Sequence, residues 1–168
     1  MKNIVLIGMP GAGKSTIGVI LAKVLGFQFI DTDLVIQERE NRLLKDIIKE
    51  EGLENFIKIE DRINQSIQAT KAVISPGGSV VYGEKAMEHF RETGIVVYIK
   101  LSFETVQKRL GNIKKRGVVL KENQSLKDLY LERCPLYEKY AHIIIDAENM
   151  DIESAMEKIK NEVEIYTK

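Results

Sequence analysis

The stretch Gly8-Met9-Pro10-Gly11-Ala12-Gly13-Lys14-Ser15 constrains this chain more than any other. It fits G-x-x-x-x-G-K-[ST] and stands between an apolar run, Asn3–Ile7, and a helical pattern. Glycines in such a loop let backbone N–H groups turn inward around phosphate oxygens, and the N-terminus of the next helix adds positive potential. Lys14 then reaches the β and γ oxygens of a nucleoside triphosphate, and Ser15 ligates Mg²⁺. Chance would produce the four fixed positions in a chain this long on the order of once in 200 sequences. The loop predicts binding of ATP or GTP, with Gly11, Ala12, Gly13, Lys14, Ser15 and Thr16 around the nucleotide.

A loop of this kind hangs from a parallel sheet, and the remaining pattern supplies one. Residues 3–7, 27–30, 72–75, 95–100 and 142–145 are short β-branched runs alternating with helical segments. They are almost wholly apolar, as strands covered by helices on both faces must be. Ile17, Ile20, Leu21, Val24 and Leu25 mark one helix stripe, ended by Gly26. Phe56, Ile59, Ile63 and Ile67 mark a second, and Ile152, Met156, Ile159 and Val163 a third; all three read as core packing. Glycine-bearing turns at 8–13 and 76–79 fall at the carboxyl ends of strands, where open α/β sheets bind ligands. The polar, cationic segment 111–124 precedes Ser125, whose Ser-Leu-Lys-Asp reads as a capping box, and it is expected to form a lid. At 168 residues, with no repeat or linker, the expectation is one α/β domain over 1–168.

Charge and composition narrow the partners. Lys and Arg total 25 and so do Asp and Glu, so the net charge of zero argues against nucleic acid as the main partner. The longest apolar runs, 4–7 and 95–99, fall far short of the roughly 18 residues a membrane span needs, and no signal-peptide pattern opens the chain. A cytoplasmic monomer acting on a small molecule is expected. Cys134 stands alone, which excludes an internal disulfide; its helical setting favours a partly buried, inert thiol over a nucleophile.

Absences narrow the phosphate-loop class. No N-K-x-D guanine reader occurs, and 72–75 ends in Ser-Pro-Gly-Gly rather than the carboxylate typical of motor ATPases. Asp146 follows a suitable apolar run but comes too late in the chain, and reads as a strand-end residue. A small kinase remains. In Phe29-Ile30-Asp31-Thr32-Asp33 the two carboxylates sit at the end of the second strand. Asp31 is a candidate magnesium ligand, direct or through water, and Asp33 a candidate acceptor for the attacking hydroxyl; the bland alternative is that Asp-Thr-Asp only caps the next helix.

With GMPGAGKST, DTD, SPGGS, an Arg-Gly at 116–117 and ERCPLY in place, the sequence resembles the shikimate kinase family from Asn3 to Asp146. The resemblance implies phosphate binding by Lys14, metal roles for Ser15 and Asp31, and substrate hydroxyl binding by Asp33. It further implies an adenine-side contact at Arg109, a lid arginine at Arg116 closing on ATP phosphates, and a substrate carboxylate contact at Arg133. The implied substrate region is about 33–62, and the implied reaction moves the γ-phosphoryl group of ATP to a hydroxyl of shikimate with Mg²⁺.

The departures fall mainly on the substrate side. Where the family shows Phe-Arg, this chain has Phe56-Ile57, so one of two arginines expected to grip the carboxylate is absent. Lys58 does not replace it, because the next helical residue is turned by about 100° and an ammonium lacks the guanidinium fork. Glu60 keeps access to the pocket from the side of Ile57. The family's triple glycine is Gly77-Gly78-Ser79, and Arg116 is followed by Gly117 rather than proline. Two alternatives stay open: a kinase of the same scaffold for a hydroxy amino acid or polyol, and a non-catalytic ATP-binding module.

Overall fold

The structure, a computed structural model, describes residues 2–111 and 120–168. Its five strands are β1 (Asn3–Ile7), β2 (Gln28–Asp31), β3 (Ala72–Ser75), β4 (Gly94–Lys100) and β5 (Ile143–Asp146). All neighbours pair in parallel, in the order β2-β3-β1-β4-β5. The strands fall where the apolar runs place them, with β2 and β5 shifted by one residue and β4 starting one residue earlier. β1 and β3 are buried throughout and β4 up to its final Lys100, which is why their sequences do not alternate.

Among the described residues eight α-helices flank this sheet: α1 (Lys14–Leu25), α2 (Thr32–Glu40), α3 (Leu44–Glu51), α4 (Leu53–Gln65), α5 (Glu84–Thr93), α6 (Phe103–Leu110), α7 (Leu126–Tyr140) and α8 (Ile152–Tyr166). Parallel crossovers are right-handed, so α1, leading from β1 out to β2, and α5, leading from β3 to β4, leave on opposite faces. The packing agrees, with α1 against α8 and α4 against α5. β1 and β3 are neighbours whose following segments diverge, and a crevice opens at their carboxyl ends.

Local signals set the helix ends. Gly26 takes the left-handed conformation (φ 70°) that closes α1. Ser125 and Asp128 form the reciprocal capping box that starts α7. The buried side of α1 runs through Lys14, Ile17, Gly18, Leu21 and Ala22, an i, i+3, i+4 progression. Val24, expected on the packed stripe, falls off that progression and is 48% exposed. The turn expected at 76–79 passes into a short 3₁₀ helix, Gly78–Tyr82.

Apolar packing separates into two clusters. The larger surrounds the sheet; the smaller, Ile36, Ile47, Phe56 and Ile63, joins α2, α3 and α4 beside the crevice. Cys134 is partly buried, accepts a 3.4 Å hydrogen bond from the Tyr98 hydroxyl, and is pushed above the usual thiol range by burial. Among the described residues no helix is long and apolar enough to cross a membrane.

Candidate active site

A cavity of about 260 Å³ occupies the crevice. Its first wall is the phosphate loop, which contributes Pro10, Gly11, Gly13, Lys14, Ser15 and Thr16. Gly13 adopts φ 88° at the N-cap of α1, a conformation that turns the loop into the helix and that side-chain-bearing residues rarely adopt. Ala12 lies behind the loop, buried, with its N–H donating to the Met9 carbonyl. The Lys14 ammonium donates to the carbonyls of Gly8 and Met9 at 2.9 Å each, so it lies against its own loop. Burial pushes it down to about 8, against the opposing pull of Asp33.

Two carboxylates and two serines form the floor. Asp31 ends β2 directly opposite Ser75 at the end of β3, and the Ser75 hydroxyl lies 3.4 Å from that of Ser15. Asp31 also caps α2, its Oδ1 accepting from the N–H groups of Asp33 and Leu34. The capping alternative is therefore real, and it leaves Oδ2 outside the cap bonds. One side chain serves both ends, since a carboxylate has more acceptor sites than a cap consumes. Asp33, in the first turn of α2, lines the cavity, and burial together with Asp31 pushes its carboxyl up to about 6 despite Lys14.

The opposite wall is assembled from distant segments: Gly77, Gly78 and Ser79 after β3, Glu60 from α4 and Arg133 from α7. Backbone approach is tight here. A Cβ on Gly78 would lie 2.9 Å from both Arg133 Nη1 and Pro10 Cδ, and one on Gly77 would lie 2.8 Å from Asp33 Oδ1. Arg133 is 1% exposed, lies over the Tyr82 ring at 5.4 Å, and donates from Nε to the Tyr82 hydroxyl at 3.4 Å. Burial alone would ease off its proton, but the Tyr137 and Tyr82 hydroxyls outweigh it and its affinity for the proton is raised. Tyr137 in turn donates to the Gly78 carbonyl at 2.6 Å, tying α7 to the glycine turn.

Ile57 differs from expectation. It does not line this cavity but a recess of about 80 Å³ next to it, with Leu53, Tyr82, Lys121, Gln124, Leu129 and Arg133. On α4 it stands nearly a full turn from Glu60, and its methyls also pack on the smaller core cluster. Arg133 borders both spaces. Arg109, on α6, stands beside the phosphate loop rather than in the cavity, its Nη1 3.5 Å from the Gly11 carbonyl. Arg116 and most of the expected lid lie outside the described residues.

Three participants escaped sequence reading. Ser75 was visible only as the end of a strand lacking a carboxylate. Tyr82 and Lys121 belong to a chain in which Tyr82 donates to Glu132 at 2.6 Å and Lys121 Nζ stands 3.5 Å from the same oxygen. Nothing in their local spacing marks them. Among the described residues no group of three His, Cys, Asp or Glu side chains gathers to hold a metal. Mg²⁺ in kinases takes one or two protein oxygens and fills its shell with phosphates and water, and Ser15 and Asp31 suit that donor set.

Comparison with known proteins agrees with this geometry. The shikimate kinase family model matches residues 10–164. A shikimate kinase of Thermodesulfovibrio yellowstonii is 36% identical over 98% of this chain and 96% of its own length. One from Clostridium botulinum (strain Langeland) is 40% identical over 86% of this chain and 87% of its own. In structure, the Acinetobacter baumannii shikimate kinase in complex with shikimate superposes with a TM-score of 0.87 at 31% identity, covering 97% of this chain and 93% of that one. From the phosphate loop through the last helix, this chain belongs to the shikimate kinase family.

Proposed function

We propose that the protein transfers the γ-phosphoryl group of ATP to a hydroxyl of shikimate. The observation that carries the reading is a single cavity with the phosphate loop on one wall, and Asp33 with the buried Arg133 on the others. Those groups match a small acceptor bearing both a hydroxyl to be activated and a carboxylate to be held.

ATP enters with its β and γ phosphates against the loop N–H groups, and Lys14 exchanges its two carbonyl partners for phosphate oxygens. Asp33, pushed to about 6, is mostly ionised at neutral pH yet basic enough to accept the hydroxyl proton as that oxygen attacks the γ-phosphorus and the bond to ADP breaks. Mg²⁺ held by Ser15 and Asp31 would neutralise charge on the phosphate oxygens. Arg133 orients the acceptor by its carboxylate, and Gly77 and Gly78 let the backbone come close beside it. Arg109 flanks the nucleotide, and Arg116 is assigned to the transferred phosphoryl group.

The test is ADP release with Mg-ATP and a panel of shikimate, hydroxy amino acids and polyols. Shikimate is expected to give the highest kcat/KM. A clear preference for another compound would replace the acceptor, and ADP release no faster than without acceptor would point to a binding module.

A further inference from the structure

A chain of hydrogen bonds runs from Arg133, in the wall of the cavity, to the turn at 121–124. Arg133 Nε donates to the Tyr82 hydroxyl at 3.4 Å, and that hydroxyl donates to Glu132 Oε1 at 2.6 Å. Lys121 Nζ donates to the same oxygen at 3.5 Å, and Gln124 Nε2 donates to Oε2 at 3.2 Å. The turn is closed on itself around a left-handed Asn123 (φ 61°): the Lys121 N–H donates to Gln124 Oε1 and the Gln124 N–H to the Lys121 carbonyl, both at 3.0 Å. Glu132 therefore ties the end of the 3₁₀ helix and the turn before α7 to one side chain of α7.

The direction of these bonds is forced. A guanidinium only donates and an ionised carboxylate only accepts, so the hydroxyl between them must accept from Arg133 and donate to Glu132. The Tyr82 hydroxyl, with Lys121 adding to it against burial, holds Glu132 below the usual carboxylate range, and burial pushes the Tyr82 hydroxyl up. Near neutral pH one is thus a carboxylate and the other a phenol. A hydroxyl that gives its proton to a carboxylate is a better acceptor for the arginine, because linked hydrogen bonds polarise one another. Stacking on the Tyr82 ring at 5.4 Å adds a second restraint on the guanidinium. A grip on a carboxylate needs the planar fork of an arginine set at one angle, which its flexible stem does not supply.

We propose that Tyr82 and Glu132 are positioning residues for the acceptor: Glu132, fastened by Lys121 and Gln124, holds the Tyr82 hydroxyl, and Tyr82 sets the angle at which Arg133 meets the acceptor carboxylate. The inference rests on the reading that Arg133 grips a carboxylate of shikimate. Tyr82 lines the neighbouring recess rather than the cavity, and Glu132 lines neither, so loss of either is felt in acceptor binding and not in the transfer step.

The experiment pairs steady-state kinetics with NMR of the arginine side-chain N–H groups. Tyr82→Phe, which keeps the ring and deletes the hydroxyl, and Glu132→Ala should each raise KM for shikimate about tenfold, while kcat and KM for ATP stay within about twofold. Glu132→Gln keeps an acceptor oxygen for Tyr82 and should raise KM only about threefold. The double variant, Tyr82→Phe with Glu132→Ala, should match the single variants at about tenfold rather than reach their product of about 100-fold, because both act through Arg133. Without any acceptor, the Arg133 Nε–H signal, identified by its loss in Arg133→Lys, should shift or broaden in Tyr82→Phe and in Glu132→Ala. The proposal is overturned if either single variant keeps the wild-type KM, if kcat falls as much as KM rises, if the double variant multiplies the two losses, or if Glu132→Ala leaves the Arg133 signal unchanged. A protein whose Arg133 signal responds to both substitutions but which does not turn over shikimate overturns the substrate reading instead, because that signal needs no acceptor.

Discussion

The two long walls of the cavity are built on different plans. The nucleotide wall is made of main chain: N–H groups, a left-handed glycine and one helix N-terminus, all within residues 8–16. The acceptor wall is made of side chains, Asp33, Glu60, Ser79 and Arg133, brought from α2, α4, the turn after β3, and α7. Main-chain N–H groups grip the phosphates common to every nucleoside triphosphate, but they point inward only while Gly11 and Gly13 keep their left-handed φ, so the first wall tolerates little change of sequence. Side chains can be exchanged one at a time, and the departures at Ile57 and Ser79 cluster on or beside the second.

The largest effect should come from the nucleotide wall. Lys14→Ala removes the ammonium that lines that wall and is expected to lower kcat by about 10³-fold or more in an ADP-release assay, with the fold retained by circular dichroism. Near-normal turnover would mean that the loop does not hold the transferred phosphates. Asp33→Asn should lower kcat by about 10²-fold while leaving the Kd for ATP within about threefold, since the residue faces the acceptor. An equal loss in both would erase the distinction between the walls.

The recess around Ile57 sharpens the contrast. Ile57→Arg would place a second guanidinium next to Arg133, within reach of a carboxylate in the main cavity. The expected result is a fall in KM for shikimate of about tenfold, the value of one added ionic hydrogen bond. A rise in KM with loss of turnover would show that the recess seats an apolar part of a different acceptor.

The smallest effect concerns the unliganded protein. Glu60 binds its proton more tightly folded than unfolded, so its contribution to stability is complete below about pH 4.5 and is lost as pH rises to about 8. Asp33 acts in the same sense, from about pH 4 to about 6. The Tm should therefore fall between about pH 5 and 8, and Glu60→Gln should flatten that fall by about 5 °C. Identical Tm profiles for the two proteins would mean that Glu60 is already ionised.

What the sequence made legible follows the same division. The parallel sheet, all five strands and the phosphate loop could be read because each depends on residues adjacent in the chain. Val24 was misplaced because a two-residue shift along a helix moves a side chain to the opposite flank, and hydrophobicity alone does not fix the phase. Ile57 stands about 100° round α4 from Phe56, which does line the cavity, and so borders the next recess instead, a placement that motif matching does not reveal. Tyr82, Lys121 and Ser75 were missed because what gives them meaning is a partner 50, 11 or 60 residues away.

The smaller apolar cluster has a consequence of its own. Ile36, Ile47, Phe56 and Ile63 fasten α2, α3 and α4 to one another through a core distinct from the one under the sheet. A unit with a few buried side chains can open without exposing the rest, so its backbone amides should exchange with solvent at a lower free-energy cost than those of β1 and β4. Asp33 and Glu60 ride on this unit. The half of the cavity that selects the acceptor is thus carried on the less tightly fastened layer, while the half that holds the triphosphate is anchored in the sheet.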